Sequence, residues 1–186
     1  KGKQAHMQVV NRGFLLKDID LGTALVDMYA KCELLDNAKR VLNCEILHRN
    51  VVSWSALIAG YVQVGRFYEA LECLEELRND GHAPNAITFV CILKACGSIG
   101  TIKKGEKFHE EISNRGLLGK NYTTLSIALV DMYVKCGIPT KAQQVLDGLP
   151  VRNVIAWSAL IAGYVQQGAF HQALNCFERM QNEGLS

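Results

Sequence analysis

The sequence repeats itself at long range, and this repetition constrains the fold more than any other feature. Residues 50–65, NVVSWSALIAGYVQVG, recur at residues 153–168 as NVIAWSALIAGYVQQG, with 13 of 16 positions identical and an offset of 103 residues. Residues 24–32, ALVDMYAKC, recur at residues 128–136 as ALVDMYVKC, with an offset of 104 residues. Long copies at a fixed spacing are typical of arrays in which one structural unit stacks on the next. The sequence therefore predicts an array of repeats.

The repeated segments have the periodicity of helices. Apolar side chains recur at intervals of three and four residues after Val51, on one face of a helix: Trp54, Leu57, Ile58, Tyr61 and Val62. Gly65 is predicted to end this helix, and a second amphipathic helix is predicted from Phe67 onward. No segment alternates with period two for long enough to indicate a strand. Because one helix pair cannot bury its apolar face alone, the sequence predicts an all-α solenoid of stacked helix-turn-helix repeats.

Composition narrows the classes of function. The 186 residues carry 20 Lys and Arg against 18 Asp and Glu, so a nucleic acid would be held by a local stripe of charge rather than by bulk charge. No apolar run reaches the roughly 20 residues of a membrane-spanning helix, which predicts no membrane partner. The seven cysteines are odd in number and form no C-x-x-C motif, which predicts buried, reduced thiols rather than disulfides or zinc ligands.

The signatures of common catalytic sites do not occur in the sequence. These include the zinc-deaminase motif, the phosphate-binding G-x-x-x-x-G-K-[ST] loop, G-x-S-x-G and H-E-x-x-H. We therefore predict a chain that performs no chemistry itself and requires no metal, cofactor or small-molecule substrate.

The repeated strings resemble pentatricopeptide repeats of the plant PLS subclass, in which P, L and S units of unequal length alternate. The resemblance rests on VVSWSALIAGYV from Val51, ALVDMYAKC from Ala24 and ITFVCILKACGSIG from Ile87. It implies a right-handed solenoid. The units it implies are a partial L unit with only its second helix at 1–18, S at 19–50, P at 51–85, L at 86–122, S at 123–153 and a truncated P unit at 154–186.

A tetratricopeptide array, which is a protein-binding scaffold of the same architecture, is the alternative. Trp54, Leu57 and Tyr61 overlap its pattern. A strict period of about 34 residues, however, would give a different offset and would not alternate three kinds of unit.

The resemblance implies single-stranded RNA as the partner, read by one repeat per base. In the family, one base-reading residue is the fifth of the first helix and the other is the last of the unit. Hydroxyl and amide groups suit this task because they match donors and acceptors on a base edge. By this rule the pairs are Thr23 with Asn50, Ser55 with Asn85, Val90 with Tyr122, Ile127 with Asn153, and Ser158 alone.

These pairs imply a partial target sequence. Thr or Ser with Asn implies adenine, so the first two complete units are expected to prefer A, and Ser158 implies a purine. The expected pattern is 5′-A-A-N-N-R-3′. A lone hydroxyl on a helix can equally be a filler of the helix surface, and only the recurrence in register favours base reading.

Two further positions follow from the resemblance. In the family, the second residue of each unit is apolar and sandwiches a base. The base-sandwiching residues implied here are Val52, Ile87, Thr124 and Ile155. Thr124 departs from the apolar pattern, as does Asp20 at the second position of the unit 19–50. Lys31 and Lys135 occupy the thirteenth position, where the family directs a cation at phosphate. A Lys near the C-terminus of a helix can also simply complement the helix dipole.

The resemblance also implies a cellular role. PLS proteins specify sites of C-to-U editing, or take part in other RNA processing, in mitochondria or chloroplasts, with protein editing cofactors as further partners. Any transit peptide or deaminase domain of the full protein is expected to lie outside these residues. In our interpretation Trp54 and Trp157 are core residues, and Gly60 and Gly163 allow close helix packing.

Overall fold

The computed structural model describes residues 19–45, 49–118, 123–149 and 152–185. In these ranges the chain is helical apart from turns and loops and contains no strand, so the all-α prediction is confirmed. The helices are α1 (Ile19–Lys31), α2 (Leu35–Arg40), α3 (Val51–Gln63), α4 (Phe67–Asn79), α5 (Ala86–Ile99), α6 (Ile102–Asn114), α7 (Thr123–Lys135), α8 (Pro139–Asp147), α9 (Val154–Gln166) and α10 (Phe170–Asn182).

The chain forms two compact units, which divide within α5 between Ile92 and Leu93. In the first unit α1 lies against α3, and α3 packs on α4. In the second unit α7 lies against α9, and α9 packs on α10. Each compact unit therefore places the first helices of neighbouring repeats side by side, as expected of helix pairs that bury their apolar faces by stacking. Helices α1, α3, α5, α7 and α9 begin at the first residues of the predicted repeats, whose P, L and S classes remain a prediction.

The two tryptophans are core residues, as predicted, and each indole N–H has a partner. Trp54 is 1% exposed and its Nε1 donates to Oδ2 of Asp80 at 3.0 Å. The Nε of Arg49 lies 2.7 Å from the same carboxylate. A carboxylate thus satisfies a donor that would be costly to bury alone. The second copy repeats the arrangement with Trp157, Glu183 and Arg152.

Close packing of the first helices depends on glycine, which confirms the sequence-based interpretation. A Cβ at Gly60 would lie 2.8 Å from Cβ of Ala30 and 2.8 Å from Cδ2 of Leu35. A Cβ at Gly163 would lie 2.8 Å from Cγ1 of Val134. All three distances are shorter than an ordinary carbon–carbon contact of roughly 3.5–4.0 Å. The neighbouring helix therefore occupies the space that any other residue would need.

The helices that follow the two ALVDMY copies, α2 and α8, continue differently. After α2 the first copy forms a π-helical turn over Val41–Glu45, whereas α8 of the second copy remains α-helical to Asp147. A π turn holds one residue more than an α turn. It can therefore accommodate the extra residue that changes the offset between the copies from 104 to 103.

The cysteines are free thiols, but the prediction that they are buried is wrong for two of them. Cys32, which follows the end of α1, and Cys44, within the π-helical turn, are exposed. Cys73 is buried, and burial raises the pKa of its thiol to about 12. This thiol is therefore protonated and unreactive near neutral pH. Cys96 and Cys176 are also buried, whereas Cys91 and Cys136 are half-buried.

Candidate functional site

The three asparagines predicted to read bases all cap the helix that follows them. In Asn50, Asn85 and Asn153 the side chain accepts a hydrogen bond from the backbone N–H three residues later, at 2.8, 2.9 and 2.9 Å. A backbone N–H only donates, so the bonded atom must be Oδ1. The remaining side-chain atom, Nδ2, is a donor. Asparagine is favoured at these sites for capping alone, and the cap leaves its Nδ2 donor unused.

Each of these caps precedes an exposed apolar side chain by two residues. Val52 is 54% exposed, Ile87 is 64% exposed and Ile155 is 60% exposed. Thr124 and Asp20, at the equivalent position of other units, are also exposed. Three first helices therefore begin with a hydrogen-bonding amide and an apolar surface close together. Such a pair offers an edge contact and a stacking contact to a flat ring.

The two equivalent serines at the fifth position have different surroundings. Ser55 is only 4% exposed, and its Oγ lies 2.6 Å from the backbone oxygen of Val51 and 2.7 Å from Oγ1 of Thr88. Ser158 is exposed. In this structure the hydroxyl of Ser55 is thus bonded within the protein, and its predicted contact with a base remains a prediction.

The other residues predicted at the fifth position also differ in burial and in hydrogen bonding. The hydroxyl oxygen of Thr23 is buried and has no hydrogen-bond partner among the described residues. Val90 and Ile127 are half-buried. Tyr122, predicted to pair with Val90, lies outside the described residues.

Thr88 is the residue that sequence reasoning missed. It is fully buried, its Oγ1 lies 3.0 Å from Oδ1 of Asn85, and it accepts the backbone N–H of Asn85 at 3.2 Å. The spacing of a capping Asn and a hydroxyl residue three positions later resembles a capping box, which was the available signal. The bond from Thr88 to Ser55 joins two repeats and had no signal in the sequence.

The lysines predicted to contact phosphate are each paired with an aspartate one turn earlier. The Nζ of Lys31 lies 2.7 Å from Oδ2 of Asp27, and the Nζ of Lys135 lies 2.7 Å from Oδ2 of Asp131. These i, i+4 pairs are solvent-accessible, and such pairs usually contribute less than about 1 kcal/mol. A phosphate would therefore compete with a weak partner rather than meet a free cation.

An open depression of about 560 Å³ in the second compact unit is separate from all these positions. His109, Tyr133 and Lys141 are among its lining residues, and none of the predicted RNA-contacting residues is. The Nδ1 of His109 lies 2.9 Å from the Tyr133 hydroxyl. Burial, reinforced by the nearby charge of Lys141, lowers the pKa of His109, and burial raises the pKa of Tyr133 to about 12. Both groups are therefore neutral at physiological pH.

The described part of the chain lacks the features of two other classes of site. There, no three or more His, Cys, Asp and Glu side chains are grouped so that they could hold a metal ion. None of the described helices combines the length and the apolar character that crossing a lipid bilayer requires.

Comparisons with known proteins agree on one repeat family. A sequence model of the PPR (pentatricopeptide) repeat family matches residues 49–98, and a model of the PPR repeat matches residues 155–185. The chain is 36% identical over 185 residues to a pentatricopeptide repeat-containing protein of Arabidopsis thaliana, with 100% of this chain and 25% of the relative covered. It is 34% identical over 186 residues to a mitochondrial protein of that kind, and 36% identical over 184 residues to a chloroplastic one, both from the same plant. These matches cover 99% of this chain in each case, and 32% and 22% of the two relatives.

A solved structure shares the fold. The crystal structure of the maize pentatricopeptide repeat protein PPR10 in complex with an 18-nt psaJ RNA element matches with a TM-score of 0.72 at 18% identity. The match covers 100% of this chain and 28% of that chain. The chain thus has the fold of an α-helical repeat solenoid, and it spans between about a fifth and a third of the length of the relatives it matches.

Proposed function

We propose that this chain, which contains pentatricopeptide repeats at residues 49–98 and 155–185, is the segment of a longer protein that binds single-stranded RNA. The observation that carries the proposal is the recurrence of an Asn cap and an exposed apolar side chain at the start of α3, α5 and α9. The related fold of PPR10, which was crystallised with RNA, supports it.

The finer part of the proposal is a sequence preference. Each unit reads one base with its fifth and last residues, which gives 5′-A-A-N-N-R-3′ over the five units from residue 19 onward. The Nδ2 donor of Asn85, which the cap does not use, supports adenine at the second position, because adenine presents an acceptor, N1, on its pairing edge, whereas guanine presents a donor there.

The relatives support a biological role in an organelle. Since similar proteins include mitochondrial and chloroplastic ones, this protein acts in one of these organelles on RNA. Its role there is to specify sites of processing such as C-to-U editing, together with protein cofactors. The segment binds and does not itself catalyse.

The substitution Asn85→Asp tests the sequence preference. Asp keeps the cap, because one carboxylate oxygen still accepts the N–H of Thr88, but it replaces the Nδ2 donor with an acceptor. The preferred second base should change from A to G, by about 1–3 kcal/mol for a well-formed contact to a base edge. The measurement is a titration of both proteins with two RNAs that differ only at this base.

A matched control separates base reading from charge. Asn175→Asp adds the same negative charge at an exposed position of α10, so it should weaken both RNAs equally and leave the preference unchanged. If Asn85→Asp behaves like the control, Asn85 does not read the base. If selection from a randomised RNA pool enriches no sequence, the sequence preference is wrong. If the protein also fails to retain the pool at low salt, RNA binding itself is wrong and the scaffold alternative gains support.

A further inference from the structure

A buried hydroxyl connects the two residues predicted to read the second base. Thr88 donates its backbone N–H to Oδ1 of Asn85 at 2.9 Å, and its Oγ1 lies 3.0 Å from the same oxygen. On its other side, Oγ1 of Thr88 lies 2.7 Å from Oγ of Ser55. Thr88 is itself 0% exposed, so it cannot be a base contact in this structure. It lies in the repeat that follows the one whose base it would influence.

Three contacts share two hydroxyl protons, so a directed chain from Ser55 through Thr88 to Asn85 forms when Ser55 donates to Thr88 and not to the carbonyl oxygen of Val51. Each hydroxyl has one proton, so Ser55 donates either to Thr88 or to the backbone oxygen of Val51, and Thr88 donates either to Asn85 or to Ser55. When Ser55 donates to Thr88, the proton of Thr88 is directed at Oδ1 of Asn85. In that arrangement Oδ1 accepts two hydrogen bonds from one residue, and the amide cannot present this oxygen outward. The atom left for a base is then Nδ2.

We propose that Thr88 is a positioning residue that sets the base preference of the preceding repeat by fixing the orientation of the Asn85 amide. This inference rests on the proposed function and extends it. The specificity of that repeat is determined by a third residue, which lies in its neighbour, and not by Ser55 and Asn85 alone. Ser55 contributes to the preference through Thr88.

The equivalent third residues of other repeats do not form this connection. Ser53 follows Asn50 by three residues, yet its hydroxyl donates to the backbone oxygen of Asn50 at 2.9 Å rather than to the side chain. Ala156, three residues after Asn153, has no hydroxyl. The amide of Asn85 is therefore the one with an added side-chain restraint among the three described caps. Ser53 provides a matched control, because its hydroxyl contacts the backbone of Asn50 and not the side-chain amide.

The test compares Thr88→Val, Thr88→Ser and Ser53→Ala in the same chain. Thr88→Val keeps the shape and the backbone N–H but removes the hydroxyl, whereas Thr88→Ser keeps the hydroxyl. Each protein is titrated with uridine-flanked RNAs of the pattern A-A-N-N-R in which the first or second base is varied, and its unfolding midpoint is measured alongside. Thr88→Val should reduce the preference for A at the second base about fivefold, as expected for one neutral hydrogen bond. Thr88→Ser should retain the wild-type preference for A at the second base. Ser53→Ala should lower stability without changing the preference at the first base.

Each other outcome has a definite meaning. If Thr88→Val weakens all RNAs equally and lowers the unfolding midpoint, Thr88 is only structural and the proposal is wrong. If Thr88→Val leaves the preference intact while Asn85→Asp changes it, the positioning role is wrong and the proposed function stands. If neither substitution changes the preference, base reading by this repeat fails and the positioning role fails with it.

Discussion

Replacing Gly60 with alanine should have two opposite effects on stability, a gain in helix propensity and a loss from steric overlap, and the structure indicates that the loss is larger. Alanine in a helix interior is more favourable than glycine by about 1 kcal/mol. Its Cβ, however, would lie 2.8 Å from Cβ of Ala30, 2.8 Å from Cδ2 of Leu35 and 3.3 Å from Cα of Ala30. The Leu35 side chain can rotate, but the Cα of Ala30 moves only if α1 moves. Overpacking typically costs 1–3 kcal/mol, and we expect the upper part of that range, for a net destabilisation of about 2 kcal/mol.

The same argument predicts smaller losses of stability at two other glycines. At Gly163 the contacts within 3.0 Å are with the methyl groups of Val134, a side chain that can adjust, so Gly163→Ala should cost less than Gly60→Ala. At Gly148 the nearest atoms are 3.6 Å away, and Gly148→Ala should be neutral or slightly stabilising. Urea unfolding followed by circular dichroism at constant m-value measures the order. A Gly60→Ala protein as stable as the wild type would refute the argument from close packing.

Two further predictions concern the core and the charged residues. Asp80→Ala removes the acceptor of the buried Trp54 indole and should lower the free energy of unfolding by about 1–3 kcal/mol in urea titrations. Asp80→Asn keeps an acceptor and should lose less. A change below about 0.5 kcal/mol for Asp80→Ala would contradict this role. Replacing both Lys31 and Lys135 with alanine should weaken the binding of all RNAs by a similar factor. In titrations at several salt concentrations, the salt dependence of affinity should correspond to at most about two fewer phosphate contacts. A loss confined to one RNA sequence would show that the two lysines do more than contact phosphate.

Local signals made much of the fold predictable from the sequence. The end of α3 at a glycine was expected, and Gly65 indeed has a φ of 79°, which other residues rarely adopt. The burial of Trp54 followed from its place on the apolar stripe. These features depend on neighbours within a few residues along the chain. The repetition then extended each local prediction to a second copy.

Contacts between repeats were less predictable. The burial of Ser55 depends on Thr88, which lies 33 residues later, and no periodicity marks which residues meet across that distance. The pairing of Lys31 with Asp27 was visible as an i, i+4 spacing, but the resemblance directed attention to phosphate instead. Exposed Cys32 shows the same limit, because an apolar stretch alone does not say where its helix ends.

A base-recognition rule that considers only two residues per repeat therefore omits contacts with the neighbouring repeat. Thr23 with Asn50 and Ser55 with Asn85 belong to the same chemical class and imply the same base. Yet the Thr23 hydroxyl is buried without a hydrogen-bond partner in the described chain, whereas the Ser55 hydroxyl is bonded to the following repeat. An amide with a second restraint loses less freedom when it contacts a base. The second adenine should accordingly be read more strictly than the first, although the two pairs are nominally equivalent.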